Sequence, residues 1–91
     1  MSSVKDIEKI CDAMKSLLVY KNIEYGDSAL TPLGIFAKSG ATDAIAVRLD
    51  DKLARVKHSP TLRKNDIADL IGYLVLLCAD QGWTSFEEFK D

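Results

Sequence analysis

Residues that usually announce chemistry are scarce in this chain, which has one histidine, two cysteines and one tryptophan among 91 residues. His58 precedes Ser59-Pro60 with no nucleophile near it in sequence, which places it on a surface loop and leaves no Ser-His-Asp set. Cys11 and Cys78 fall inside apolar helical patterns, the setting of reduced, buried thiols, and their spacing is not that of a zinc site. No glycine-rich phosphate loop and no nucleic-acid-reading motif is present. The longest apolar run, IGYLVLLCA, has nine residues, against the ~20 that a bilayer requires. The polar opening from Met1 to Asp6 is not a signal peptide. Positive charge is not in excess either. Twelve Lys and Arg stand against fourteen Asp and Glu, a net charge of -2, so there is no general pull on nucleic acid or anionic lipid and any anion site must be local. Neither a membrane nor direct nucleic-acid binding is expected.

What the chain does have is helical periodicity. Val4, Ile7, Ile10, Cys11, Met14, Leu17 and Leu18 follow the three-and-four rhythm of an amphipathic helix that starts near Ser3, with Ser3 and Asp6 as its cap, and runs to about Lys21. KNIEYGDS then breaks the pattern into a loop. Thr31-Pro32 reads as a cap for a short apolar turn of Leu33, Ile35 and Phe36, ended by Gly40. Thr42 can cap a second long helix carried by Ile45, Leu49, Leu53 and Val56 and stopped by HSP at 58–60. A third begins at Lys64 or Asn65 and ends at Gly82. Being apolar on most sides, it reads as a central helix with more than one neighbour. Thr84 and Glu87 have capping-box spacing before a last short helix, where Trp83, Phe86 and Phe89 would close the core. No segment alternates like a strand. The expected fold is all-α, a single domain over residues 1–91, made of three long helices plus one or two short ones. A chain this short builds a thin core, so assembly as a homodimer or higher homo-oligomer is expected.

The charges sit at the borders of the apolar faces. At ~100° per residue, Ile45, Leu49, Leu53 and Val56 span about 80° of the second helix, Lys52 falls about 20° outside that arc, and Arg48, Arg55 and Asp51 lie further round. On the third helix the apolar centre is Ile67, Leu70, Leu74 and Cys78, flanked by Asp66, Asp69, Tyr73 and Asp80. Side by side, the two helices would bring Arg48, Lys52 and Arg55 toward Asp66, Asp69 and Tyr73. Such charges can be interhelical ion pairs that set register, or cations around a pocket that takes an anion, for which arginine's fork suits phosphate.

Three segments together, KNIEYGDS, RLDDKLARVK and NDIADLIGYLVLL, resemble the small phage and bacterial nucleotide modification associated domains. These are related to the all-α nucleoside triphosphate pyrophosphohydrolases of the MazG and dimeric dUTPase type. The likeness runs from Lys21 to about Trp83. It implies an oligomeric helical domain that handles nucleotides in the cytoplasm of a bacterial or phage-infected host cell, with Lys21 and Tyr25 at the loop joining the site. In the catalytic relatives, Glu-x-x-Glu and Glu-x-x-Asp pairs hold Mg²⁺ at a triphosphate. Asp66 and Asp69 match the second pair as catalytic and metal-binding residues. The first pair is missing, its helix carrying Arg48, Asp51 and Lys52 instead, and a lysine opposes Mg²⁺ in a first coordination sphere.

Three functional readings follow. One is a binder of a nucleotide or nucleotide-derived signal, with Lys21, Tyr25, Arg48, Asp51, Lys52, Arg55 and Tyr73 as ligand-binding residues. Another is a Mg²⁺-dependent pyrophosphohydrolase using Asp66 and Asp69. The third is a non-catalytic oligomerisation or partner-binding module.

Overall fold

The computed structural model describes residues 2–31, 34 and 40–91, and among these it is all-helical. Helix α1 spans Ser2–Glu24, α2 spans Ala41–His58 and α3 spans Lys64–Gln81, followed by a 3-10 turn at Glu87–Phe89. None of these helices is long and apolar enough to cross a membrane. The expected short turn of Leu33, Ile35 and Phe36 lies outside the described residues.

The helix ends follow local chemistry. Gly82 adopts φ 77°, the left-handed conformation that costs a side-chain-bearing residue ~1–2 kcal/mol. Its N–H donates to the Ala79 carbonyl at 3.1 Å, and the Trp83 N–H donates to Cys78 at 2.9 Å, which satisfies the last carbonyls of α3 in the glycine-terminated pattern. Gly26 closes α1 in the same way at φ 65°, with the Asp27 N–H donating to the Asn22 carbonyl at 3.1 Å. Lys21 to Glu24, expected in the loop, are therefore the last turn of α1, because the positive-φ stop sits at Gly26 and nothing before it breaks the helix. Three expected caps are corrected, among them Thr84 with Glu87, since Phe86 precedes the 3-10 turn and no side chain caps it. The residue before α2 is Gly40, and no side chain caps that helix; the Thr42 hydroxyl donates across to Asp80 instead. Ser3 lies inside a helix that already begins at Ser2.

Residues 59–63 return the chain so that α2 and α3 pack antiparallel, while α1 rests on α3 alone. Ile45 is the buried hydrophobic side chain of the α2–α3 seam, at 1% exposure. The face α2 buries is rotated from the expected one. Lys52 lies inside it, whereas Leu53 is more than half exposed. A carboxylate on α3 meets Lys52 at that height, so the lysine stem can lie along the seam with its charge matched.

α3 is displaced in the same sense. Its fully buried positions are Asp66 and Gly72, while Leu74, expected at the apolar centre, is 50% exposed. α2 covers the acidic flank and α1 approaches over Gly72, where an added Cβ would stand 3.0 Å from Leu18 Cδ2. Trp83, Phe86 and Phe89, expected to close the core, are exposed. Phe89 lies in the 3-10 turn and Phe86 just before it. Cys78 is half-buried, and Cys11, expected buried, is exposed; both are free thiols.

Candidate functional site

The two acidic residues of the third helix meet different cations. Lys52 Nζ lies 3.0 Å from Asp69 Oδ2, with the side chains 13% and 30% exposed. That is the pairing expected between α2 and α3, and it fixes their register at mid-seam. Asp66 is bound within its own helix end, where Arg63 Nε donates to Oδ2 at 3.0 Å. The Asp66 carboxylate is buried, and its Oδ1 has no hydrogen-bond partner among the described residues. A buried acceptor left without a partner costs ~1–3 kcal/mol; its place in the first turn of α3 offsets part of that through the helix dipole. Arg48, Asp51 and Arg55 are exposed on α2 and form no ion pair among the described residues. The cluster foreseen around α2 thus reduces to the single Lys52–Asp69 contact.

The cavity lies on the other side of Asp69. Between the C-terminal part of α1, the turn that follows it and α3 is a pocket of about 230 Å³. Four of the residues singled out from the sequence line it: Lys21, Tyr25, Asp69 and Tyr73. Each is placed by a local feature. Lys21 and Tyr25 are four residues apart at the end of α1, where the Tyr25 N–H donates to the Lys21 carbonyl at 2.9 Å. Asp69 and Tyr73 are one turn apart on α3 and share a side. Leu17, Leu18 and Leu76 make the apolar wall, and Asn22 and Ser28 add polar groups. Periodicity gave no sign of Asn22 or Ser28, whose contribution depends on how the turn after α1 folds back. Gly72 also lines the pocket. A glycine inside an otherwise apolar helix marks close approach of a neighbour, and here that neighbour is Leu18.

Chemically the pocket is an apolar slot lined by two phenols, an amide, a hydroxyl, a carboxylate and one ammonium. Lys21 has no ion-pair partner among the described residues. Since Lys52 neutralises Asp69, the local balance is close to one positive charge. Asp66 and Asp69 are each engaged by a cation, and no three His, Cys, Asp or Glu side chains converge among the described residues. No family model, curated protein or solved structure matches the chain.

Proposed function

We propose that this protein binds a nucleotide, or a signal derived from one, in the pocket between α1 and α3, as a component of nucleotide metabolism or base modification. The observation that carries this reading is the meeting of Lys21, Tyr25, Asp69 and Tyr73 at one cavity, although they come from segments more than forty residues apart in sequence. An aromatic ring offers a face to any base, worth ~1–3 kcal/mol per stacked base. Asp69 and Asn22 can accept from and donate to a base edge, and the Lys21 ammonium can pair with a phosphate. The volume lies below the ~300–1,000 Å³ of drug-sized sites, so a base and part of its sugar fill the slot and the phosphate stays at the mouth. One unneutralised cation suits one phosphate better than three. The resemblance to nucleotide modification associated domains implies the same ligand class, and the protein acts as a homo-oligomer in this reading.

Thermal unfolding against a panel of nucleosides and nucleoside mono-, di- and triphosphates tests the proposal. A ligand at a hundred times its dissociation constant adds ~2.7 kcal/mol to stability. We expect the largest shift from a monophosphate, with no need for Mg²⁺. Tyr73→Leu and Lys21→Ala should remove it, while Arg55→Ala should leave it intact. A panel in which nothing raises the melting temperature overturns the reading. Release of pyrophosphate from a triphosphate, dependent on Mg²⁺ and lost in Asp69→Asn, would replace it with the hydrolase.

A further inference from the structure

The polar groups around the pocket are unequally placed. Lys21, Asn22, Tyr25 and Ser28, contributed by α1 and the turn after it, are exposed, whereas Asp69 and Tyr73 on α3 are half-buried. The rim is therefore open to water and the inner wall is not. Of the two inner groups the phenol can donate or accept, but a carboxylate paired with an ammonium only accepts.

Asp69 is also held in place. Lys52 Nζ lies 3.0 Å from its Oδ2, and Lys52 does not line the pocket, so the ammonium anchors the carboxylate from the α2 side. It also cancels the charge that would otherwise repel a phosphate at Lys21. A carboxylate has about four lone-pair sites, and no other described residue donates to this one. What remains is acceptor capacity on the inner wall of a slot that carries aromatic residues from both sides, Tyr25 just after α1 and Tyr73 on α3.

A base that enters the slot displaces water from Asp69 and must replace the donors it removes, because a site with an acceptor left unpaired rejects the ligand that leaves it so. Base edges differ in this respect. Adenine and cytosine set an amino donor beside a ring-nitrogen acceptor, and uracil and thymine set an imide donor between carbonyls, so each turns a lone pair toward the carboxylate along with its donor. Among these bases only guanine presents adjacent donors, N1–H and the 2-amino group, which meet a carboxylate in the side-by-side manner of a guanidinium.

We infer that the pocket selects guanine nucleotides, with Asp69 accepting from N1–H and the 2-amino group, the ring against the tyrosines and the phosphate at Lys21. The inference rests on the nucleotide reading of the same pocket and adds the base to it.

Isothermal titration calorimetry on the full chain tests it, with the 5′-monophosphates of guanine, hypoxanthine, adenine, cytosine and uracil, each as ribo- and deoxyribonucleotide. The guanine nucleotide should bind at least about tenfold more tightly than those of adenine, cytosine and uracil. Hypoxanthine, which keeps N1–H and lacks the amino group, should fall between them. The monophosphate of 1-methylguanosine, which lacks the N1–H, should lose at least about tenfold against guanosine. Asp69→Asn, which sets a donor beside the acceptor, should bring guanine and adenine within roughly threefold of each other; the ligand series on the unaltered protein decides the matter even where that variant fails to fold. Binding of nucleotides without preference for guanine, or equal binding of the 1-methyl analogue, overturns the base assignment and leaves the nucleotide reading standing. Binding of none of them overturns both.

Discussion

Helices α2 and α3 make a closed pair, and α1 an open one. Between α2 and α3 there is a buried isoleucine, an ion pair at mid-seam and a side-chain hydrogen bond from Thr42 to Asp80 at the far end. α1 touches α3 through Leu18 at Gly72 and buries nothing completely. The two regions have similar amphipathic sequences, so periodicity alone does not separate them. What separates them is the number of neighbours each finds within one chain. In water most helical stability comes from packing rather than from propensity, so α1, with one shallow contact, is the less supported of the two regions.

Substitutions can break this contrast. The largest effect is expected at Ile45→Ala, which should cost ~3 kcal/mol, since it opens a cavity where no solvent reaches; urea unfolding measures it. Lys52→Ala should follow at ~2 kcal/mol, because it strands the Asp69 carboxylate in the seam. That is below the ~3–5 kcal/mol of a fully buried pair, as Asp69 keeps some contact with water. Lys52→Met, which fills the stem's space, should lose less than Lys52→Ala. Gly82→Ala should cost ~1 kcal/mol through its left-handed backbone. Leu53→Ala, on the exposed side of α2, should cost under ~0.5 kcal/mol, and a value near that of Ile45 would mean that Leu53 too is covered in solution. Hydrogen exchange sharpens the same contrast. Amides of α2 and α3 should be protected to near the global stability, whereas those in the first half of α1 should exchange at least tenfold faster. Equal protection across all three helices would erase the distinction between the two regions.

Much of the fold was legible before the coordinates. The three long helices, the stop at Gly82 and the break at HSP all follow from short-range rules, in which a proline, a positive-φ glycine or an apolar repeat acts on its own few neighbours. Caps were less legible. Thr42 has the right chemistry for one, but Asp80 offers its hydroxyl a stronger charged acceptor, and Asp80 is 38 residues away. The site was legible in part. Asp69, Tyr73, Lys21 and Tyr25 were singled out and line one pocket, while Arg48, Asp51 and Arg55 were grouped with them and stand apart on α2. A helical wheel gives the angle between two side chains on the same helix. It does not say which side the next helix takes.

Sequence alone therefore determined the class of structure and the approximate place of each long helix, because those depend on contacts within a turn or two. Tertiary structure decided that Lys52 replaces Leu53 in the seam, that Asp66 is buried beside Arg63, and that the cavity opens between α1 and α3 rather than between α2 and α3. These outcomes depend on which face meets which, a choice made by the whole set of long-range contacts competing at once. Groups at the border of an apolar stripe are the ones it can turn either inward or outward.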